Sequence, residues 1–446
     1  MSIVVLRNGN VLQTTSPYSV TRGVDVVIED DLIKEVGKDL ASRYPEAKVY
    51  ELEGKSVMPG MVCSHHHYYS GLSRGMLVSS GPQSDFIQIL KEWWWRLDRA
   101  LDEEALYYSS LISSIDAISA GTTAVVDHHA SPSFISGSLE VIAQGMRETG
   151  LRGATCYEMT NRNGGVEEAR QGALENISFA ASVDAGRARG EYQMVEAMVG
   201  GHAPFTLCDA SLELMKDAVD TTRRGIHLHI AEDRYDVAHS HHLYHQDIVE
   251  RLDRAGLLSE KSLLVHGLHL NDSEVETLNA RGSFLAHNPR SNMNNNVGYF
   301  TRLQDLNNLV LGTDGCGGNM FEEIKIAFFK HRDMGLSWWP SDFVEVLSRG
   351  NLLLESMFSE KFGKIAPGYK ADITIMDYRS PTPLEDDNLA THLVWGMSSN
   401  SVDSVMINGN MVMDGRAFDF DVNEIYAKAA EVGRRIWKKV DTIKAH

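Results

Sequence analysis

Three consecutive histidines end a short apolar run in the stretch "VMPGMVCSHHHYY". If the residues after Met61 form a strand, successive side chains point to opposite faces, so His65 and His67 share one face and His66 takes the other. Two imidazoles on one face can bind the same metal ion, although a polar loop with chance histidines would give the same pattern. This stretch therefore indicates a metal site only if further ligands occur elsewhere in the chain.

Further candidate ligands stand at the ends of other apolar runs. "GIHLHIAE" from Gly225 offers His227, His229 and Glu232, "SLLVHG" offers His266, and "LVLGTDG" offers Asp314. Alternation places His227 and His229 on one face and does not choose between them, whereas position favours His229, which is nearer the end of its run. Three neutral imidazoles and one carboxylate form a nitrogen and oxygen ligand set that suits Zn²⁺ and also accepts Fe²⁺ or Mn²⁺.

A metal in such a site would make water reactive at neutral pH. Binding lowers the pKa of water from near 16 to about 7, which furnishes hydroxide for attack on a substrate. Asp314 can hold that water and take its proton, and Glu232, three residues after His229, is close enough to donate a proton to the substrate. An exposed carboxylate at the start of a helix is the alternative interpretation of Glu232.

These residues need a scaffold that brings the ends of many strands together. Eight short β-rich runs, beginning near residues 61, 121, 151, 193, 225, 262, 282 and 309, alternate mostly with amphipathic segments of helical length, such as 103–120, 166–187 and 235–255. This alternation predicts a (β/α)8 barrel, in which catalytic residues lie at the carboxyl ends of the strands. An open doubly wound sheet would alternate similarly, but it usually carries a glycine-rich phosphate loop that this sequence lacks.

The two ends of the chain differ from its middle. The stretches "VVLRNGNVLQ" and "VMINGNMVMDG" each place Asn-Gly between β-rich arms, which favours a tight hairpin turn. Both ends are therefore expected to belong to one β-rich module outside the barrel.

Composition limits the classes of partner. The 446 residues include 42 basic and 61 acidic ones, and a net charge of −19 disfavours nucleic acid and anionic membrane surfaces. The first apolar stretch stops at Arg7 and no run approaches the roughly 18 residues of a membrane span, so a cytoplasmic location is expected. The four cysteines, Cys63, Cys156, Cys208 and Cys316, form no CxxC pair, so a thiolate zinc site is not indicated.

Several motifs together carry a family resemblance that covers nearly the whole chain. "PGMVCSHHH", "HLHIAE", "LVHGLHL" and "LGTDG" resemble the amidohydrolase superfamily, in the branch of cytosine deaminases, guanine-type deaminases and triazine hydrolases. "ATCYEMTNRNG" and "TTAVVDHHASP" look most like SsnA-type aminohydrolases. The resemblance implies a barrel over residues 58–365 and a composite β-sandwich domain from residues 1–57 and 366–446, with "APGYKADITIMD" as its re-entry strand.

The resemblance also implies roles for individual residues. It assigns one divalent metal ion, most simply Zn²⁺, to His65, His67, His229 and Asp314, proton transfer to Glu232 and Asp314, and the substrate or the attacking water to His266. His202 in "GGHAPFT" and Asn292 in "HNPRSNM" are expected near the substrate pocket. Arg74 is a further candidate for a substrate oxygen or carboxylate, with a structural salt bridge as its alternative.

The lysine positions bear on the number of metal ions. Some members of the superfamily hold two metals bridged by a carboxylated lysine, usually from the end of the fourth strand. No lysine lies between Lys91 and Lys216, which excludes such a bridge over strands two to four. A bridge through Glu158 or Cys156 stays an alternative, and one metal is expected.

The predicted function is metal-dependent hydrolytic deamination of a small molecule at a carbon–nitrogen bond other than a peptide bond, in an amino-substituted nitrogen heterocycle. A hydrolase of the same fold that displaces chloride, or that opens a cyclic amide or formimino group, is the alternative. A non-catalytic assembly protein is disfavoured because every ligand is retained. The resemblance further implies a homo-oligomer, and the histidines at 239–245 and the tryptophans at 93–95 stay without a role, with packing favoured over a lid for the latter.

Overall fold

The computed structural model describes residues 2–77, 83 and 85–445. The strands are β1 (Ile3–Gln13), β2 (Ser19–Glu29), β3 (Leu32–Gly37), β4 (Lys48–Glu51), β5 (Ser56–Pro59), β6 (Met61–His66), β7 (Thr122–Asp127), β8 (Arg152–Thr155), β9 (Val195–Ala197), β10 (Val199–Gly201), β11 (Ile226–Ile230), β12 (Leu263–His266), β13 (Phe284–His287), β14 (Leu309–Leu311), β15 (Ile373–Met376), β16 (Val402–Ile407) and β17 (Asn410–Met413).

The α-helices are α1 (Phe86–Ile89), α2 (Trp95–Ala100), α3 (Glu103–Ser119), α4 (Ser138–Thr149), α5 (Val166–Ala188), α6 (Asp209–Thr222), α7 (Arg234–Tyr244), α8 (Ile248–Arg254), α9 (Asp272–Arg281), α10 (Pro289–Asn294), α11 (Met320–Asp333), α12 (Pro340–Phe358), α13 (Leu389–Thr391) and α14 (Val422–Thr442). Two π-helical turns, Leu90–Trp94 and His392–Gly396, follow α1 and α13 directly.

The middle of the chain forms the predicted (β/α)8 barrel. Parallel pairing joins β6, β7, β8 and β9 in one set and β10, β11, β12, β13 and β14 in another. The segments β9 and β10 are separated only by Met198, so they act as two halves of one strand. Parallel bridges between Met159 and Gly201 and between His66 and Asp314 connect the two sets at both seams.

The barrel interior below the histidines is apolar. In the strand register, His227 lies beside Leu263 and His229 beside Val265, and Val265 in turn lies beside Ala286. Leu263, Val265 and Ala286 are each fully buried in one interior cluster. Because paired residues of parallel strands point to the same side, the imidazoles of β11 lie next to this buried apolar cluster in the barrel interior.

Two of the three predicted helical segments are confirmed and the third is wrong. Those at 103–120 and 166–187 correspond to α3 and α5 within one residue at each end. The prediction of one helix over 235–255 is wrong, because α7 and α8 are separate helices. His245 takes a left-handed backbone with φ of 53° and Asp247 is extended, so neither residue can continue the helix.

Strands from both ends of the chain share one mixed sheet, in the order β17, β16, β15, β5, β1, β2, β3, with β4 beside β1. The predicted C-terminal hairpin is confirmed, since Asn408 and Gly409 have φ of 52° and 74° between β16 and β17. The N-terminal hairpin is wrong. There, Asn8 with φ of 55° forms an irregularity within β1, which pairs with β2 on both sides of it.

The predicted boundaries between the β-sandwich domain and the barrel, at residues 57/58 and 365/366, stay a prediction. Strand pairing places Ser56–Pro59 wholly in the mixed sheet, between β1 and β15. In the part of the chain that the structure describes, no helix is both long and apolar enough to span a membrane.

A buried ion pair ties the barrel to the mixed sheet. Arg152, at the start of β8, is fully buried and donates from Nε and Nη2 to the two carboxylate oxygens of Asp372, at 2.6 and 3.1 Å. Its Nη1 donates to the Tyr192 hydroxyl at 2.6 Å, and Asp372 also accepts from the backbone N–H of Asn408 at 2.7 Å. This bidentate pair satisfies both charges at the junction.

Replacing Arg152 by Ala is expected to lower the free energy of unfolding by about 3–5 kcal/mol, because the Asp372 carboxylate would stay buried without its partner. Chemical denaturation measures the change. Arg189→Ala is the matched control: Arg189 pairs with Glu191 at 2.8 Å on the surface, and its loss should cost less than about 1 kcal/mol. Equal costs for the two substitutions would contradict this account of the junction.

Candidate metal centre

Four side chains from three strands converge at the carboxyl end of the barrel. The ligand atoms of His65, His67, His229 and Asp314 all lie within 4.8 Å of one another, and all four residues are buried. His67 Nε2 lies 2.8 Å from Asp314 Oδ1 and 3.2 Å from His229 Nε2, and His65 Nε2 lies 3.5 Å from the same carboxylate oxygen. Residues far apart in the chain thus meet because they lie at the same end of the barrel strands.

Backbone carbonyls orient two of the imidazoles. His67 Nδ1 lies 2.7 Å from the carbonyl oxygen of His128, and His229 Nδ1 lies 2.8 Å from that of His202. A carbonyl only accepts hydrogen bonds, so each Nδ1 carries the proton and each Nε2 presents a lone pair to the centre of the group. This is the form in which a neutral imidazole binds a metal.

The imidazole of His65 is oriented by His227, the histidine of β11 that strand alternation could not distinguish from His229 as a ligand. His227 Nε2 lies 2.8 Å from His65 Nδ1, and its own Nδ1 lies 3.7 Å from the Cys156 sulfur. With the shared proton on His65 Nδ1, His65 Nε2 is free to bind a cation. Both histidines of β11 therefore face the barrel interior, His229 within the group and His227 behind it.

The electrostatics of the group favour a positive charge at its centre. Burial holds the pKa values of His65 and His229 well below the ordinary value for imidazole. Burial alone would raise the pKa of Asp314, but the adjacent His65 and His67 imidazoles bring it well below its usual range. Although burial lowers the pKa of His67, the Asp314 carboxylate raises it to about 9. Without a metal, the Asp314 carboxylate therefore favours a protonated His67, with the positive charge where a metal cation would bind.

The donor set fits a metal ion. His65 Nε2 is a buried nitrogen with no hydrogen-bond partner among the described residues. Two imidazole Nε2 atoms face each other at 3.2 Å, an arrangement of lone pairs that a shared cation would stabilise. Three nitrogens and one carboxylate oxygen match the ligands that Zn²⁺ takes in catalytic sites.

His66 points away from this group, as alternation predicts. Its Nδ1 contacts the backbone carbonyl of Asp314, and its ring packs edge-on against Tyr68 with centroids 5.4 Å apart. The middle histidine thus fastens β6 to the end of β14. This role could not be read from the sequence, because it depends on which strand closes the barrel.

Three strand ends carry an unusual backbone. Ala231, His266 and Asp314 have φ of 45°, 71° and 52°, in the left-handed region that non-glycine residues rarely adopt. All three follow or end the strands β11, β12 and β14. Such conformations cost energy and cluster at functional sites, where they direct a side chain that a regular strand would direct elsewhere.

Glu232 and His266 form a second group beside the first. His266 Nε2 lies 3.4 Å from Glu232 Oε2 and 3.9 Å from Asp314 Oδ2. Burial raises the pKa of Glu232 well above its ordinary value, and the nearby Asp314 carboxylate raises it further. Asn295 donates to Glu232 Oε1 at 3.2 Å, and Glu232 lines the cavity. Glu232 is therefore suited to hold a proton.

Two residues behind this group position it. Asn292 Oδ1 lies 2.8 Å from His266 Nδ1, so that nitrogen carries the proton and His266 Nε2 is left as an acceptor. Ser291 donates to Asp314 Oδ2. Asn292 therefore lies near the pocket, behind His266, and its contact with substrate stays a prediction.

A cavity of about 470 Å³ opens above the group. Its polar lining includes His67, His229, Glu232, Asp314, His202, Glu158, Asp98 and Ser291, and its apolar lining includes Phe86, Leu90 and the tryptophans Trp93, Trp94 and Trp95. His202 thus lies where the resemblance placed it. The three tryptophans, for which packing was favoured, also line the cavity.

The sequence did not predict one charged cluster that borders this cavity. Arg162 pairs directly with Asp98 and lies 3.7 Å from Glu158, whose other oxygen lies 3.3 Å from His128 Nδ1. Burial alone would raise the pKa of Glu158, but the His202 and His128 imidazoles bring it to about 2. Burial raises the pKa of Asp98 to about 6 against the pull of Arg162. Only the folded chain brings the segments after β6 and β8 together.

Two other candidates lie apart from the cavity. Arg74 pairs with Asp116 and exposes 63% of its side chain, and it borders a separate surface cavity. The structure thus shows the salt bridge, and a contact of Arg74 with substrate stays a prediction. Of the histidines at 239–245, His241 pairs with Asp247 at 2.7 Å, and none belongs to a metal-type grouping of the described residues.

Residues 56–412 match the model of the amidohydrolase family. A 5-methylthioadenosine/S-adenosylhomocysteine deaminase of Thermococcus sibiricus is 28% identical over 421 residues, which cover 92% of this chain and 94% of that protein. A 5'-deoxyadenosine deaminase of Methanopyrus kandleri is 28% identical over 389 residues, covering 85% and 86%.

Solved structures share the fold. An adenosine deaminase from Xanthomonas campestris with bound zinc superposes with a TM-score of 0.82 at 21% identity, covering 99% of both chains. An atrazine chlorohydrolase from Arthrobacter aurescens TC1 complexed with zinc gives a TM-score of 0.80 at 18% identity, covering 96% of this chain and all of the other. The chain therefore belongs to the amidohydrolase family and is a metal-dependent hydrolase of carbon–nitrogen bonds other than peptide bonds.

Proposed function

We propose that this enzyme removes the amino group of an adenine-type nucleoside by hydrolysis. The observation that carries the proposal is the convergence of His65, His67, His229 and Asp314 within 4.8 Å, beside a buried Glu232, at the mouth of one cavity. The choice of substrate class draws on the relatives, which are named as deaminases of 5-methylthioadenosine, S-adenosylhomocysteine and 5'-deoxyadenosine. The cavity, at about 470 Å³, lies within the range that encloses a ligand of nucleoside size.

The four converging residues would hold one divalent cation, and their ligand set is best suited to Zn²⁺, with Fe²⁺ and Mn²⁺ as alternatives. Such a cation makes water a nucleophile at neutral pH by lowering its pKa. His227 and the carbonyls behind His67 and His229 keep the three imidazoles in the ligand form. The cation would thus be bound by side chains whose orientation is already fixed by these contacts.

Glu232 supplies the proton that makes the ring carbon reactive. Attack by water on a carbon of an aromatic ring would leave negative charge on the adjacent ring nitrogen unless that nitrogen is protonated. The raised pKa of Glu232 keeps its carboxyl protonated, and Asn295 holds one of its oxygens in place. General acid catalysis of this kind typically contributes about 10²–10⁴-fold to the rate.

His266 and Asp314 handle the attacking water and the leaving group. Because His266 Nε2 is an acceptor, it can orient the attacking water by accepting a hydrogen bond from it. Asp314 takes a proton from the water as its oxygen bonds to the carbon, and gives that proton to the amino nitrogen as the carbon–nitrogen bond breaks. Glu232, which has given its proton to the ring nitrogen, takes the hydroxyl proton as the carbonyl forms. Both carboxyl groups thus return to their starting states, and the products are ammonia and the oxo form of the heterocycle.

The activity itself is testable by ammonia release. Zinc-loaded protein is expected to release one ammonia per molecule of 5'-deoxyadenosine or 5-methylthioadenosine consumed, and the absorbance of the adenine ring should shift to that of hypoxanthine. Adenine and cytosine serve as matched heterocycles without the sugar. Absence of ammonia release from both nucleosides would contradict the proposed substrate class, and chloride release from a chlorotriazine would favour the alternative hydrolase.

His229→Ala is expected to abolish stoichiometric metal binding, because the three ligands left behind include only two imidazoles. Metal content after dialysis against a mild chelator, determined by plasma mass spectrometry, measures this. His239→Ala is the control, since His239 lies on α7 outside the group. Full metal content in His229→Ala would refute the assignment of His229 as a ligand.

Glu232→Gln is expected to keep the metal and lose about 10²–10⁴-fold in kcat, because glutamine has the shape of the carboxyl but cannot transfer its proton. Metal content and ammonia release, determined on one preparation, separate the two effects. Loss of the metal in this variant would show that Glu232 supports the metal group, and an unchanged kcat would rule out its role as proton donor.

A further inference from the structure

The cavity has a second set of acidic groups that the proposed reaction does not use. We infer that Glu158 and Asp98 form an acceptor wall that selects substrates whose substituent is a neutral hydrogen-bond donor or a cation, and that rejects anionic substituents. This inference rests on the proposed function and specifies the substrate class of the same site. The acceptor wall is defined by these two residues only.

Glu158 lies close to the reacting centre. It follows β8, is 4% exposed, and lines the cavity. One of its carboxylate oxygens lies within 4.8 Å of ligand atoms of both His67 and His128. A substrate held at the converging group therefore lies within a few ångströms of this carboxylate, where little water is present to screen it.

The acceptor wall also presents atoms without partners. Asp98 is 2% exposed, and its Oδ1 has no hydrogen-bond partner among the described residues, although its Oδ2 pairs with Arg162. The indole N–H groups of Trp93 and Trp95, which line the same cavity, are likewise without partners there. Buried polar groups are normally satisfied, so these atoms indicate a polar ligand at this wall.

The charges of the acceptor wall and its neighbour Arg162 determine which substituents are favoured. Arg162 is the guanidinium between the two carboxylates, bonded directly to Asp98 and 3.7 Å from Glu158. One guanidinium balances one carboxylate, so the acceptor wall keeps an excess negative charge facing the cavity. A carboxylate or phosphate on the substrate would meet this charge in a desolvated site, and such like-charge contacts are strongly unfavourable.

A purely structural role is the competing explanation of Glu158, because it could serve only to hold Arg162 and His128. The geometry favours a ligand-facing role. The contact with His128 Nδ1 at 3.3 Å lacks hydrogen-bond geometry, since that nitrogen is without a partner, and Arg162 is already satisfied in part by Asp98. The two roles predict different kinetics.

The test compares three nucleosides with the same base and sugar but different charge at the 5' position: 5'-amino-5'-deoxyadenosine, 5'-deoxyadenosine and adenosine 5'-carboxylate. For the zinc-loaded enzyme, kcat/KM is expected to fall in that order, with the carboxylate at least about tenfold below 5'-deoxyadenosine. In Glu158→Gln the gap between neutral and anionic substrates should shrink by about tenfold, mainly through a lower KM for the carboxylate.

Two further variants complete the design. Asp98→Asn is expected to shift the same ratio in the same direction, which keeps the test decisive if Glu158→Gln folds poorly. Glu168→Gln is the matched control: Glu168 is buried on α5 and holds the backbone N–H groups of Asn163 and Gly164, so its loss removes the same charge outside the cavity lining. Its ratio should stay at the wild-type value.

The outcomes separate the two hypotheses. If the wild-type enzyme turns over the carboxylate as well as 5'-deoxyadenosine, or if Glu158→Gln slows all three substrates equally, the acceptor wall is overturned and the proposed function stands. If the zinc-loaded wild-type enzyme turns over none of the three nucleosides, the proposed function falls and the inference falls with it.

Discussion

The structure depends on one constraint: a carboxylate that must stay ionised among three buried imidazoles. Asp314 keeps its charge because His65 and His67 lie at 3.5 and 2.8 Å, and it raises the pKa of His67 to about 9 in return. Taking these groups out of water is costly unless a positive charge compensates them. The bridge between His66 and Asp314 at the closing strand and the left-handed backbone at Asp314 position that carboxylate.

Each imidazole is in turn fixed by a group that carries no charge of its own. Carbonyl oxygens of the next strand ends hold His67 and His229, and the imidazole of His227 holds His65. These contacts join residues of different strands around the mouth of the barrel. The orientation of the ligands therefore depends on the closure of the barrel. Position within the fold, more than the identity of any single residue, makes the group able to bind a cation.

The sequence predicted the parts of the site that depend on strand ends and missed those that depend on long-range contacts. The alternation that separated His65 and His67 from His66 is a local property, and the eight β-rich runs reported the barrel. The break at His245 and the irregularity at Asn8 come from left-handed backbone that composition does not reveal. The salt bridge of Arg74 could not be predicted because its partner Asp116 lies on α3, far away in the chain. The charged cluster of Glu158 and Arg162 likewise depends on Asp98, which comes from a distant segment.

The central claim is that one cation is bound by His65, His67, His229 and Asp314. Anomalous diffraction from crystals of the zinc-loaded protein, recorded on both sides of the zinc absorption edge, tests it most directly. The account predicts one strong peak, about 2.0–2.2 Å from the Nε2 atoms of the three imidazoles and from a carboxylate oxygen. A peak between His128 and Glu158, or two peaks of equal strength, would contradict it.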